Sequence, residues 1–168
     1  MKSIVLIFTS LFFLNLPLYL SASEFIISNQ IAIKQSPPLL IAHSGELVIF
    51  KYKDWSYTHE VISPDKFIAS VDLTGFEHQF IESIFESEER ESLPNWLALI
   101  AEDFADKILN PKGSFQKSYV DNAVVYGTYN PTEQQGIIFV LEKNSIHKLD
   151  ILGTNKNYMD FFNNIINQ

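Results

Sequence analysis

Residues 119–152 read YVDNAVVYGTYNPTEQQGIIFVLEKNSIHKLDIL, and the period of that stretch decides the fold. Tyr119 to Tyr129, Gly136 to Lys143 and Ser145 to Leu152 read as three strands of period two. A period of two belongs to β-strands, whose successive side chains point to opposite faces. Asn130-Pro131-Thr132-Glu133-Gln134-Gln135 joins the first two runs, and a tight turn at Lys143-Asn144-Ser145 joins the second pair. Neither connection is long enough for a crossover, so the strands are antiparallel neighbours.

A second meander precedes this one. Glu46 to Lys53 alternates with Val48, Phe50 and Tyr52 on one face, Asp54-Trp55-Ser56 reads as a turn, and Tyr57 to Ile62 reads as the return strand. After Ser63-Pro64-Asp65, Lys66 to Leu73 alternates again, with Phe67, Ala69, Val71 and Leu73 to one side, which predicts a further strand. Residues 24–42 are apolar but broken by Pro37-Pro38, as in an edge strand or extended arm.

Between the meanders the period changes to that of a helix. Thr74 and Glu77 have the spacing of a capping box, and Phe76, Phe80, Ile81, Ile84 and Phe85 follow at helical spacing. Ser92 and Pro94 open a second helix whose Trp96, Leu97, Ile100, Ala101, Phe104 and Ile108 predict the buried stripe. Asn110-Pro111-Lys112-Gly113 stops it. Tyr158, Phe161, Phe162, Ile165 and Ile166 predict a short amphipathic helix at the end. Strands grouped on either side of a helical block give an α+β domain: an antiparallel sheet of two meanders packed against two or three helices.

The first 23 residues carry an address. Lys2 is the positive n-region, Ile4 to Leu20 is apolar apart from Thr9, Ser10, Asn15 and Pro17, and Ser21-Ala22-Ser23 supplies small residues for cleavage. The alternative, an uncleaved anchor, would span about 26 Å against a hydrocarbon core of about 30 Å. We expect cleavage after Ser23, a mature domain from Glu24 to Gln168, and export to a periplasm or the extracellular space. No second membrane-length run follows, so stable insertion after cleavage is not expected.

Composition narrows the functional classes. The 168 residues include 12 Lys and Arg against 20 Asp and Glu, a net charge of -8, which disfavours nucleic acid as a partner. With 46% hydrophobic residues and no cysteine, the chain folds on its core alone, without disulfides, thiolate zinc or a cysteine nucleophile. The four histidines, His43, His59, His78 and His147, have no metal-ligand spacing, and no metal or other cofactor is expected. His147 shares a strand face with Leu149 and Ile151, as a half-buried sheet residue would. Glu82, Glu86, Glu88, Glu89 and Glu91 read as a solvated helix face, without the glycine-turned loop of a calcium site. Carboxylate pairs such as Glu102 and Asp106 occur on any acidic helix.

Three residues stand out as ligand contacts: Trp55, Tyr57 and His59. Trp55 falls at a hairpin turn beside Tyr52 and Tyr57, where a ring either folds back on the sheet or offers a stacking surface to a sugar or peptide. The expected partner is therefore a protein or a glycan. The alternative is an exported hydrolase in which His59, next to Glu60, works with a carboxylate brought in by the fold.

The order of elements over residues 46–166, with Tyr52 and Trp55 in the early hairpin, Ile146-His147-Lys148-Leu149-Asp150-Ile151 in the last strand and a terminal helix, resembles the PsbP-like and DcrB-like α/β/α sandwich. The resemblance implies an exported accessory or assembly protein without catalysis.

Overall fold

The 119–152 meander lies in the larger of two antiparallel sheets. The computed structural model describes residues 23–68, 71–109 and 114–167. In chain order, β3 (Leu40–Ser44), β4 (Leu47–Lys51) and β5 (Ser56–Val61) form the first meander. They follow β1 (Ser23–Ile26) and β2 (Ile31–Gln35). The helical block is α1 (Glu77–Phe85), α2 (Ser87–Arg90) and α3 (Asn95–Ile108). Then come β6 (Gln116–Val120), β7 (Ala123–Asn130), β8 (Gln135–Glu142), β9 (Ser145–Leu152), α4 (Asn155–Asn163) and β10 (Ile165–Asn167). The large sheet has the order β3-β4-β5-β9-β8-β7-β6, and the small one β1-β2-β10. The two meanders join where β5 pairs with β9, Tyr57 opposite Ile151 and His59 opposite Leu149.

Alternation gives the large sheet two apolar faces. Phe50, Tyr57, Val125, Ile138, Val140, Leu149 and Ile151 pack against α4 and the small sheet. Tyr126, Phe139, Leu141 and Ile146 face the other way, against α1 and α3. The result is three layers in an α+β fold. No helix among the described residues is long and apolar enough to cross a membrane.

α4 sits unusually close to the sheet. Thr154 caps it, accepting from the Asn157 backbone N–H while the Asn157 side chain accepts from that of Thr154. A Cβ on Gly127 or Gly136 would collide with Tyr158, so these two glycines are the sockets into which the helix packs.

The structure differs from the sequence reading at five places. Tyr119 to Tyr129 is two strands, because Asp121 takes a φ of 53° and turns the chain back. The described residues between 66 and 73 form no strand; an isolated bridge joins Ile68 to Val71, and Phe67, Val71 and Leu73 drop onto the helical cluster. β5 already has a neighbour on each edge, so that run has nothing to pair with and buries its apolar side chains by packing instead. Thr74 does not cap α1: its N–H and hydroxyl both bond Asp72, and Phe76 holds the N-cap. In α3 the buried row is Leu97, Ala101 and Ala105, while Trp96 is 55% exposed. The small alanines let α3 approach closely, and the bulky row falls to its flank. Finally, Ile165 and Ile166 leave the helix and form β10 against β2. The stop at residues 110–113, Ala69 and residues 1–22 of the expected leader lie outside the described residues.

Candidate functional site

Two polar arrangements stand out, one on each face of the large sheet. They are separated by a single step of the chain: His59 and Glu60 are adjacent in β5 and point to opposite faces.

On the α4 face lies a buried relay. His59 Nε2 is 3.0 Å from His147 Nδ1, and His147 Nε2 is 2.9 Å from Glu142 Oε2. Ser28, in the turn after β1, donates to Glu142 Oε1 at 2.7 Å, and Ser145 donates to Oε2 at 3.1 Å. The strand pairing makes this geometry, since β5 and β8 both flank β9. With a carboxylate accepting at one end, His147 is protonated on Nε2, its Nδ1 accepts, and His59 donates from Nε2. The edge of the Phe25 ring closes over His59, centroids 5.9 Å apart. Burial, with the neighbouring His147 adding to it, pushes His59 down to about 4. His59 Nε2, both nitrogens of His147 and both oxygens of Glu142 are bonded, and the site is sealed: His59 is 8% exposed and His147 is 3% exposed.

The relay lacks the layout of a nucleophile triad. A triad needs the hydroxyl and the carboxylate on opposite ring nitrogens. Ser145 and Glu142 both approach Nε2 of His147, at 3.2 Å and 2.9 Å, and Nδ1 is taken by His59. Among the described residues no group of three or more His, Cys, Asp or Glu is placed to hold a metal ion.

The other face carries a groove. The cluster that includes α1 and α3 draws on β7, β8 and β9 and takes no residue from β3, β4 or β5. The strand register puts Ala42, Ile49, Thr58 and Asp150 side by side on that uncovered half. At the step where α3 ends its cover, a pocket of about 270 Å³ opens. Phe67, Phe104, Ile137 and Phe139 line its apolar end, and Glu46, Glu60, Lys66 and Lys148 its charged rim. Lys148 Nζ sits 3.1 Å from Glu60 Oε1 and 2.7 Å from Asp150 Oδ2. Burial, the largest single influence, pulls the pKa of Lys148 down, but the two carboxylates together outweigh it and raise the pKa.

The three residues singled out from the sequence are spread over different environments. Tyr57 is 1% exposed, stacked on Phe50 at 4.4 Å, and offers a ligand no surface. His59 belongs to the sealed relay. Trp55 stacks on Tyr52 at 4.2 Å with its edge to Phe161, and lines a shallow depression with Lys51, Asp54, Glu133 and Gly153. Glu142, Ser28, Lys148 and the groove aromatics Phe67, Phe104 and Phe139 are site residues that the sequence did not mark as such. His59 and His147 are 88 residues apart, and only the β5–β9 pairing brings them together. Comparison with known proteins finds no match: no family model, no curated protein and no solved structure is similar to this chain.

Proposed function

We propose that this is an exported, non-catalytic accessory protein that binds a protein or glycan partner through the groove on the α3 face of the large sheet. The observation that carries the reading is the half-covered face. Apolar rings and charged side chains meet there in an open pocket, whereas the best acid–base constellation, at His59, is sealed on the opposite side. A binding surface needs access and a few polar groups around an apolar floor; a buried relay without a cavity serves packing. The leader pattern ending at Ser21-Ala22-Ser23 supports export, and cleavage before Glu24 would leave β1 three of its four register pairs with β2. The likeness of element order to the PsbP-like and DcrB-like sandwich supports the same accessory role.

Two experiments test this. N-terminal sequencing of exported material should begin at Glu24, and an intact Met1 species in the membrane fraction would sink the export reading. Backbone NMR spectra recorded with defined oligosaccharides and peptides should move the amides of Glu60, Phe104 and Lys148. Movement confined to Trp55 and its neighbours would relocate the site to the hairpin.

A further inference from the structure

We infer that the groove accepts a basic side chain, a lysine or arginine of a partner polypeptide, and that strands β3–β5 carry the rest of that segment. This rests on the groove being the binding surface and adds the charge of what it binds.

The charges decide the sign of the ligand. The pocket rim carries two carboxylates, Glu46 and Glu60, and two ammonium groups, Lys66 and Lys148, and Asp150 beside it adds a third carboxylate, held by Lys148. Both cations are engaged: Lys148 bridges Glu60 and Asp150, and Lys66 lies 3.1 Å from Glu46 Oε1. The second oxygens of Glu46 and Glu60 receive no hydrogen bond from the described residues. An arriving anion would have to displace a carboxylate from a lysine. An arriving cation finds free acceptors on the rim.

The apolar end suits the stem of the same group. Phe67 has ring centroids of Phe104 and Phe139 each 6.0 Å away, so three aromatic rings wall the pocket. Aliphatic stems of lysine and arginine pack on such rings, and ring faces attract the cationic head. The volume, about 270 Å³, is just below the ~300–1,000 Å³ of sites for drug-sized ligands and fits one side chain.

A free amine would fill the pocket and leave the neighbouring strands bare. Those strands need cover. Leu40 of β3, on the groove face opposite Lys51, is 55% exposed, Leu39 just before the strand is 75% exposed, and β3 is an edge strand with no Lys, Arg, Asp or Glu in it. The opposite edge, β6, carries Lys117, the usual guard against pairing with another chain. An extended basic segment covers both the pocket and this uncharged edge, and the net charge of -8 speeds its approach.

The test titrates the labelled protein with three probes: a short peptide of Lys, Leu and Ser, its counterpart with Glu for Lys, and hexylamine. The Lys peptide should shift Glu60, Phe104 and Lys148 together with amides of β3 and β4. Glu60→Gln should weaken it about tenfold, the loss of one charge-assisted hydrogen bond. Glu46→Gln, on an exposed turn, should act in the same direction and guards against a folding defect in the first variant. Glu88→Gln makes the same charge change on exposed α2 and should alter affinity less than about twofold. Equal weakening by Glu88→Gln would reduce the effect to general attraction and overturn the inference. A Glu peptide that binds as well as the Lys peptide overturns the charge assignment alone. Hexylamine saturating the pocket as tightly as the peptide, with β3 and β4 silent, overturns the polypeptide source. Silence with every probe overturns the groove itself as the binding surface.

Discussion

The two faces of the large sheet are covered by unequal means and to unequal extents. One face has a helix of nine residues, α4, and a three-stranded sheet, yet it is closed from β4 to β7. The other has the fourteen-residue α3 beside α1, yet half of it stays open. Close approach explains the closed face: Tyr158 lies in the sockets of Gly127 and Gly136, and Phe25 packs edge-on against Phe50 at 4.4 Å. On the other face the alanine row of α3 seats it well, but among the described residues its cluster draws none from β3 or β4. Coverage, and not helix length, decides where a surface remains for a partner. Stability should therefore concentrate on the α4 face and binding on the α3 face.

The sharpest way to break this contrast is to hollow the closed face. Phe161 is fully buried, 4.6 Å from the Tyr57 ring and edge-on to Trp55. Phe161→Ala should cost about 4 kcal/mol in urea unfolding, as deleting a buried aromatic ring does. A loss below about 1 kcal/mol would mean that the face relaxes around the hole and is not tightly packed. Filling a socket tests the same seam from the other direction. Gly136→Ala places a methyl group into the buried Tyr158 ring and should cost about 3 kcal/mol by overpacking.

Acid offers a gentler probe of the closed face, because it acts on the relay sealed there. The unfolded histidine takes up its proton near 6.5, whereas His59 in the fold is pushed down to about 4. Between those values the unfolded chain binds the extra proton, so stability falls as pH falls through that window and levels off below it. The ceiling is about 3 kcal/mol, at 1.36 kcal/mol for each unit of pKa difference. His59→Gln keeps a donor for His147 Nδ1 and removes the titration, so its stability should lose most of this slope. An unchanged slope would assign the acid sensitivity to other groups.

How much of this was legible in the sequence follows from what each signal measures. Alternation reports which residues are half-buried in pairs, and it found β4, β5, β8 and β9. It does not report a partner, so it turned residues 66–73 into a strand although β5 had no free edge. It also ran through Asp121-Asn122, where the turn depends on a backbone conformation and not on hydrophobicity. Helical spacing found α3 but not its centre. Each step of four residues advances the azimuth by about 40°, so neighbouring rows share one broad apolar arc. Ala101 and Ala105 marked the close-approach row, and size carried the information that hydropathy did not. The relay and the groove were out of reach because they depend on the β5–β9 pairing. Their nearest sequence signal, His59-Glu60, looked like one site and is split between two faces.

Phe104 gives the smallest effect and the most discriminating one. As the centre of a buried stripe it would cost about 3–5 kcal/mol on truncation. In the structure it is a half-buried wall of the groove, its ring 6.0 Å from Phe67 and 5.9 Å from Phe80. Because its ring is already partly hydrated, Phe104→Ala should cost about 1 kcal/mol, or roughly 3 °C in Tm for a domain of this size. The same variant removes one of three aromatic walls, so affinity for a basic peptide should fall while the fold persists. A loss as large as that of Phe161→Ala would mean that the α3 face is closed too, and the difference between the faces would vanish. A small loss of stability with a clear loss of binding is the outcome that only a half-open face produces.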